Sequence, residues 1–455
     1  MESGIKLPSQ FVLQINELGF IDSDIFFSSL NSKPKTSIRV NPNKEFVNSL
    51  NNKISWSQYG FYLNERPVFT LDPLFHAGTY YVQEASSMFL EQAIVQYNLN
   101  QNPLRVLDLC ASPGGKTTHL SSLLHRDSLV VSNEVIKSRQ APLIENVVKW
   151  GNNNCIVTNN DAKDFSMLIN YFDVIVCDAP CSGEGLFRKD KNAISEWSLQ
   201  NVELCASRQQ RIINDVWPAL KPGGVFIYST CTFNQKENEE NINCFCNELN
   251  AECLSLDISE FDGIICNEEN KAICYRFFPH LIGGEGFCMS VLKKKEDAFI
   301  SDIKFKSTSE YIPVQSKIKK LLAEFVLNPD EKIFYAYGKN LFCVNPHHER
   351  DLAILQTLRI SFAGTGLGEF KHDDFIPSYE LALSTSVNKG SFQFIDVDKN
   401  TALQILKGQT QLDLNCNDGY ALVSYQNIPF AFLKKTSKRF NNLYNKSWYI
   451  RMNID

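Results

Sequence analysis

The feature that most narrows the fold is a rhythm of short apolar runs, each closing on a polar residue or a thiol, with room for a helix between most of them. Residues 105–110 (RVLDLC), 128–134 (SLVVSNE), 155–158 (CIVT), 172–177 (FDVIVC) and 225–229 (VFIYS) keep this rhythm. Buried strands alternating with helices predict an α/β fold built on a parallel sheet. In open sheets of that kind ligands sit beyond the carboxyl ends of the strands, so chemistry is expected at those ends.

Two of the ends carry thiols. The run 172–177 passes into Asp178, Pro180, Cys181, Ser182, Gly183 and Gly185, a turn-forming cluster. The run 225–229 passes into Thr230, Cys231 and Thr232, with a polar helix expected from about Asn234. Cys181 and Cys231 are thereby predicted to face one pocket, with Asp178 beside them.

The first end supplies a glycine-containing turn of Ala111, Ser112, Pro113, Gly114, Gly115, Lys116 and Thr117 before a helix. There the backbone can approach a ligand, and free amides favour an anion. The turn is neither GxGxxG nor a full GxxxxGK[ST]. Cys110 stands where a phosphate loop needs its first glycine, which sets an NTPase behind other readings. Glu134 ends the next strand roughly twenty residues on, where a ribose hydroxyl is commonly held. Asp161 follows the third strand and Asp178 the fourth. Together these acids describe a pocket for an adenosine-containing cation, and S-adenosyl-L-methionine fits it better than NAD.

A thiol beside such a donor suggests one reaction. Carbon 5 of cytosine is a poor nucleophile until a thiolate adds to carbon 6; it can then take a methyl group, and loss of its proton expels the sulfur. The reaction needs a reactive Cys, a partner for the ring nitrogen N3 and a base turned out of its stack. Asp178 can serve N3. The residues alone leave open whether Cys181 or Cys231 is the nucleophile, and a Cys at a strand end can simply be packed.

The rest of the chain sets limits. With 455 residues, 44% hydrophobic and 21% charged, it should hold more than one domain of ordinary globular protein. No apolar run approaches the roughly 20 residues of a membrane span, and MESGIKLPSQ lacks a signal-peptide pattern, so a cytoplasmic location is expected. Fourteen Cys without paired CxxC spacing and seven unclustered His give no expectation of a metal. Net charge is −6, which argues against a uniformly basic coat and leaves room for basic patches.

One such patch is Lys33, Lys35, Arg39 and Lys44, where Arg39 in a strand-like SIRVN rivals a solvated loop as a phosphate contact. Gln83, Glu84 and Ser86 are either helix caps or substrate contacts. The other patch has Lys434, Lys435, Lys438, Arg439, Lys446 and Arg451 interleaved with Phe440, Tyr444, Trp448 and Tyr449. Basic charge with aromatic faces suits unpaired RNA bases, against the alternative of aromatics completing a small core.

The segments CASPGGKTT, DAPCSGEGLFRKD, KPGGVFIYSTCTFNQKENE and FFPHLIGGEGF resemble the Nop/Sun (RsmB/Nop) family of RNA cytosine-5 methyltransferases, above all its bacterial branch acting on small-subunit ribosomal RNA. The resemblance implies a Rossmann-like class I methyltransferase domain over 101–295, after an N-terminal α+β RNA-binding extension over 1–100. LGEFKHDDFIPSYELAL and RFNNLYNKSWYIR are similar to a PUA-like RNA-binding tail, giving a β-rich domain over 321–455 behind a charged linker over 296–320.

By the same resemblance Cys231 is the nucleophile and Cys181 assists product release. Cofactor contacts fall on Ala111–Thr117, Glu134, Asp161 and Asp178. The expected partner is RNA, ribosomal first and possessing tRNA as the alternative, with the assembling small subunit as its setting and neither DNA nor membrane. A non-catalytic RNA-binding assembly factor is the rival from another class.

Overall fold

The computed structural model describes residues 6–45, 50–295, 310–372, 374–437 and 439–453. At its centre is a ten-stranded sheet: β1 (Arg105–Asp108), β2 (Leu129–Asn133), β3 (Cys155–Thr158), β4 (Phe172–Asp178), β5 (Leu220–Thr230), β6 (Ala251–Leu254), β7 (Ile264–Glu269), β8 (Ala272–Phe277), β9 (Phe287–Lys294) and β10 (Ile360–Ala363). The spatial order is β7-β8-β9-β5-β4-β1-β2-β3-β10, with β6 paired to β9. Strands β5, β4, β1, β2 and β3 are parallel neighbours, while β9 and β10 flank them antiparallel.

The parallel strands are apolar on both sides because both faces are covered. Helices α1 (Gly115–Leu123), α2 (Gln140–Trp150), α3 (Leu199–Val216) and α4 (Glu239–Glu248) do the covering. Val106, Val130 and Val174 share one apolar layer with Leu120 of α1 and Leu143 and Val147 of α2. Leu107, Val131 and Ile175 point the other way, into a layer with Ile213 and Val216 of α3 and Phe245 of α4. Each such side chain contributes roughly 1.5–3 kcal/mol on burial.

The N-terminal part places helices Ser9–Glu17 and Ser23–Ser29 before a three-stranded sheet of Thr36–Val40, Gly60–Leu63 and Tyr80–Tyr81. Phe11, Ile15 and Phe26 of those helices pack with Phe187, Trp197, Phe233 and Phe278, so they clamp the loops that follow β4, β5 and β8. Arg39 is not a phosphate contact. It is 1% exposed, donates to Gln83 Oε1 (2.8 Å) and Thr118 Oγ1 (2.6 Å), and lies over the Trp150 ring. Lys44 likewise is spent, donating to the carbonyls of Ala77 and Lys149.

The C-terminal part holds a five-stranded sheet (Ile312–Pro313, Ile333–Tyr337, Asn340–Val344, Thr365–Lys371 and Asp374–Pro377) and a four-stranded one (Gln393–Asp396, Gly419–Tyr425, Ile428–Thr436 and Arg439–Asn442). Of the expected linker, residues 296–309 lie outside the described residues, and 310–320 carry strand Ile312–Pro313 and the start of helix Ser316–Leu322. Phe440 and Tyr444 are buried in an apolar cluster that Trp448 and Tyr449 cover, so these four rings complete a core instead of offering open stacking faces. Lys434 pairs with Asp374 at 3.1 Å; Lys438 lies outside the described residues. Among the described residues no helix is long and apolar enough to cross a membrane.

Candidate active site

The carboxyl ends of β1, β2, β3 and β4 lie side by side, which brings Asp108, Glu134, Asp161 and Asp178 to one edge of the sheet. Between them runs the turn Ala111–Gly114 into α1, whose first residues are Gly115, Lys116 and Thr117. Gly114 has φ +110°, a conformation that a side chain would strain, and this lets the turn bend straight into the helix. Ala111 N–H donates to Asn133 O (2.9 Å) and Ser112 Oγ to Arg139 O (2.7 Å), fixing the turn against β2 and the start of α2.

Asp108 accepts from Thr117 Oγ1 at 2.7 Å, while its Oδ1 is inaccessible and unpartnered. Burial pushes this carboxyl up to about 7. Glu134 is nearly buried, accepts from Ile136 N–H (2.8 Å) and has Arg139 at 3.7 Å. Asp161 caps the turn after β3, accepting from Lys163 N–H, and pairs with Arg211 at 3.2 Å. Asp178 is held by Lys116 (2.8 Å) and Ser229 Oγ (2.8 Å), and its side chain is 41% exposed at the crevice.

Because β4 and β5 are adjacent and parallel with Asp178 opposite Ser229, the loops beyond them converge. Cys181 Sγ stands 2.9 Å from Cys231 Sγ, and Cys231 N–H donates to Cys181 Sγ at 3.3 Å. A hydrogen bond with Cys231, burial and the nearby Glu237 carboxylate push the Cys181 thiol well up. Gly185 lets the two loops pack closely: a Cβ there would lie 2.4 Å from Gly286 O and 2.9 Å from Cys231 O.

The sequence reading missed the polar floor under these thiols. Glu184 and Glu237 are wholly buried, although both sit in stretches that read as solvated. Glu184 accepts from Phe233 N–H (2.8 Å), Asn234 N–H (3.0 Å), Trp197 Nε1 (2.9 Å) and Gln14 Nε2 (3.0 Å). Asn234 Nδ2 bridges both carboxylates, at 3.1 Å to Glu184 and 2.7 Å to Glu237. Glu239 makes a buried bidentate pair with Arg276. The signal available was the crowding of two amides and two acids, Asn234, Glu237, Asn238 and Glu239, shortly after a strand end.

The FFPHLIGGEGF segment closes the other wall. Arg188 pairs with Glu285 at 3.0 Å, both side chains 4% exposed. Glu84 accepts from Glu285 N–H (2.8 Å) and caps Ser87 N–H, and Ser86 Oγ donates to Glu285 O (2.9 Å). Gln83, Glu84 and Ser86 therefore act as caps and braces.

Comparison with known proteins gives a consistent result. The sequence model described as 16S rRNA methyltransferase RsmB/F matches residues 96–293, that of the RsmF N-terminal domain residues 7–85, and that of the RsmF PUA domain residues 392–450. Ribosomal RNA small subunit methyltransferase F of Vibrio vulnificus is 28% identical over 474 aligned positions, covering 97% of each chain. Its namesake in Pectobacterium atrosepticum is 34% identical over 312 positions, covering 64% of this chain and 63% of that protein.

Among solved structures, NSun6 from Pyrococcus horikoshii with SFG superposes with a TM-score of 0.52 at 20% identity, over 64% of this chain and 99% of that one. A methyltransferase homolog from the same organism gives 0.52 at 24% identity, over 63% and 100%. These two share the fold. From its three matched segments and its full-length relatives, the chain belongs to the RsmB/F family of RNA methyltransferases.

Proposed function

We propose that this chain transfers a methyl group from S-adenosyl-L-methionine to carbon 5 of a cytidine in small-subunit ribosomal RNA, through a transient bond between Cys231 Sγ and carbon 6. The observation that carries the reading is the pair of thiols 2.9 Å apart at neighbouring strand ends, with Asp178 on one of those strands. The relatives named as small subunit ribosomal RNA methyltransferases over their full length support the substrate class.

The crevice fits the donor. Ala111–Thr117 would cradle it, Glu134 would meet the ribose, and Asp161 and Asp178 would face its cationic end; the unpartnered Oδ1 of Asp108 leaves an acceptor or, when protonated, a donor free there. When bound, it supplies an electrophilic methyl group on a sulfonium. The chain supplies the rest. The Cys231 thiolate adds to carbon 6, and the displaced electron pair moves to N3, which takes the proton shared by Lys116 and Asp178. Carbon 5 is then nucleophilic. After methyl transfer water takes the carbon 5 proton, the 5,6 double bond re-forms as the electrons of the carbon–sulfur bond return to Cys231, and N3 gives its proton back to the Lys116–Asp178 pair. Cys181, within hydrogen-bond reach of that sulfur, protonates it as it departs.

In RNA carrying 5-fluorocytidine carbon 5 has no proton to lose and fluorine cannot leave as a cation, so the adduct is trapped. The wild type with S-adenosyl-L-methionine should give a covalent band on a denaturing gel, and Cys231→Ala should give none. A band that persists in Cys231→Ala would move the nucleophile to Cys181.

A further inference from the structure

The carboxylate of Glu237 takes part in no step above, yet it is bonded to both loops that carry the thiols. It gathers donors from three segments: Ser182 N–H (3.0 Å), Asn234 Nδ2 (2.7 Å) and Gln209 Nε2 of α3 (2.7 Å). Ser182 follows Cys181 in the chain, and Asn234 stands on the loop that carries Cys231. One buried group thus ties both thiol-bearing loops to the same helix. Among the described residues no lysine or arginine forms a salt bridge with it; burial pushes its pKa up, and the donors from Ser182, Asn234 and Gln209 favour its carboxylate form against that push.

We propose that Glu237 is a positioning residue that decides which thiol ionises: it fixes Cys181 within hydrogen-bond reach of Cys231 and keeps the proton on Cys181 when Cys231 loses its own. This rests on the reaction proposed above, in which Cys231 is the nucleophile. Two sulfurs 2.9 Å apart cannot both carry charge, so when one ionises the other keeps its proton. Its location is set by what surrounds each atom. The Cys231 N–H favours charge on Cys181, whereas the hydrogen bond between the thiols, burial and Glu237 oppose it and prevail. The titratable and charged groups around the pair are Tyr228 of β5 and Glu237 near Cys181 and Cys205 of α3 near Cys231, with Glu184 next to Glu237, Arg208 next to Cys205, and Asp178 and Lys116 at the end of the neighbouring strand. Of these Arg208 and Lys116 are cationic.

The test is alkylation of the free enzyme by iodoacetamide from neutral to alkaline pH, with Cys181 and Cys231 scored separately by peptide mass spectrometry. The thiolate displaces iodide, so each rate reports that thiol's ionisation. In the wild type Cys231 should react at lower pH than Cys181. Glu237→Gln should speed Cys181 relative to Cys231 by about tenfold, the effect of one pKa unit. Glu237→Asp, which keeps the charge, should keep the order.

A change that only loosened the fold would speed both thiols together. A wild type in which Cys181 reacts first, or a Gln variant whose ratio stays within about twofold of the wild type, overturns the proposal. Should the Gln variant fail to fold, the wild-type order and the Asp variant still decide it. Methyl transfer to RNA is measured on the same preparations. Thiols that ionise in the stated order without any transfer would overturn the reaction and leave the ordering role of Glu237 standing.

Discussion

Cys181 and Cys231 are the same amino acid at the same kind of position, and only their neighbours make them different. If Cys181 protonates the departing sulfur, Cys181→Ala should still form the adduct but release it slowly, so covalent complex should accumulate on RNA with ordinary cytidine; a denaturing gel of the wild type and variant run together checks this. Asp178→Asn should lower kcat roughly 10²–10⁴-fold with the fold intact, measured as methyl incorporation alongside thermal melting.

Asp108 makes a pH prediction. Its folded pKa of about 7 is raised from 3.8 by burial, so the stability that goes with its proton is present at low pH and lost as pH rises through 7. The stability of Asp108→Asn relative to the wild type should therefore grow between about pH 4 and 7, by up to about 1.4 kcal/mol per unit, and level off above 7, read from denaturant melts across that range. A flat difference would refute it.

At this scale the thiols and Asp178 were legible because each ends an apolar run. Glu184 and Glu237 were not, because an acid reads as solvated until its donors are known. Gln14 lies 170 positions from Glu184, and no local pattern announces that bond. Arg39 misled for the same reason, its partners Gln83 and Thr118 lying 44 and 79 positions away.

Among the elements, β10 departs furthest from what the sequence suggested. Its four residues are too few to carry a pattern, and its partner β3 precedes it by about two hundred positions, so pairing alone reveals it. The segment leading into it reaches the crevice. Asn159 N–H and Asn160 Nδ2 both donate to Arg359 O, at 2.9 and 3.3 Å, and Asn160 Oδ1 accepts from Arg359 N–H at 3.1 Å. Asn159 Nδ2 in turn holds the carbonyls of Glu134 (2.7 Å) and Val135 (3.0 Å). A strand from the C-terminal part thereby braces the acid expected to meet the ribose. Asn160→Ala should cost about 1–3 kcal/mol in denaturant melts and weaken S-adenosylhomocysteine binding in calorimetry. Unchanged affinity would separate the strand from the crevice.

The molecule as a whole is joined by surfaces that domain-by-domain reading leaves out. Strand–helix alternation made the central sheet and its ligand-bearing edge legible; the packing of Phe11 and Phe26 onto Phe187 and Phe233, and the seating of β10, depend on contacts between segments far apart. Since the sheet crosses from residues 105–294 into the C-terminal part, calorimetric unfolding should show one transition, and two resolved peaks would contradict that coupling.

The position of β10 also orders events during synthesis. While the ribosome is still making residues 295–359, the β3 edge has no partner and presents free backbone groups that invite pairing with another nascent chain. Until residue 363 emerges, a chaperone or a transient partner has reason to guard that edge, and Asn159 and Asn160 lack the Arg359 backbone that braces them.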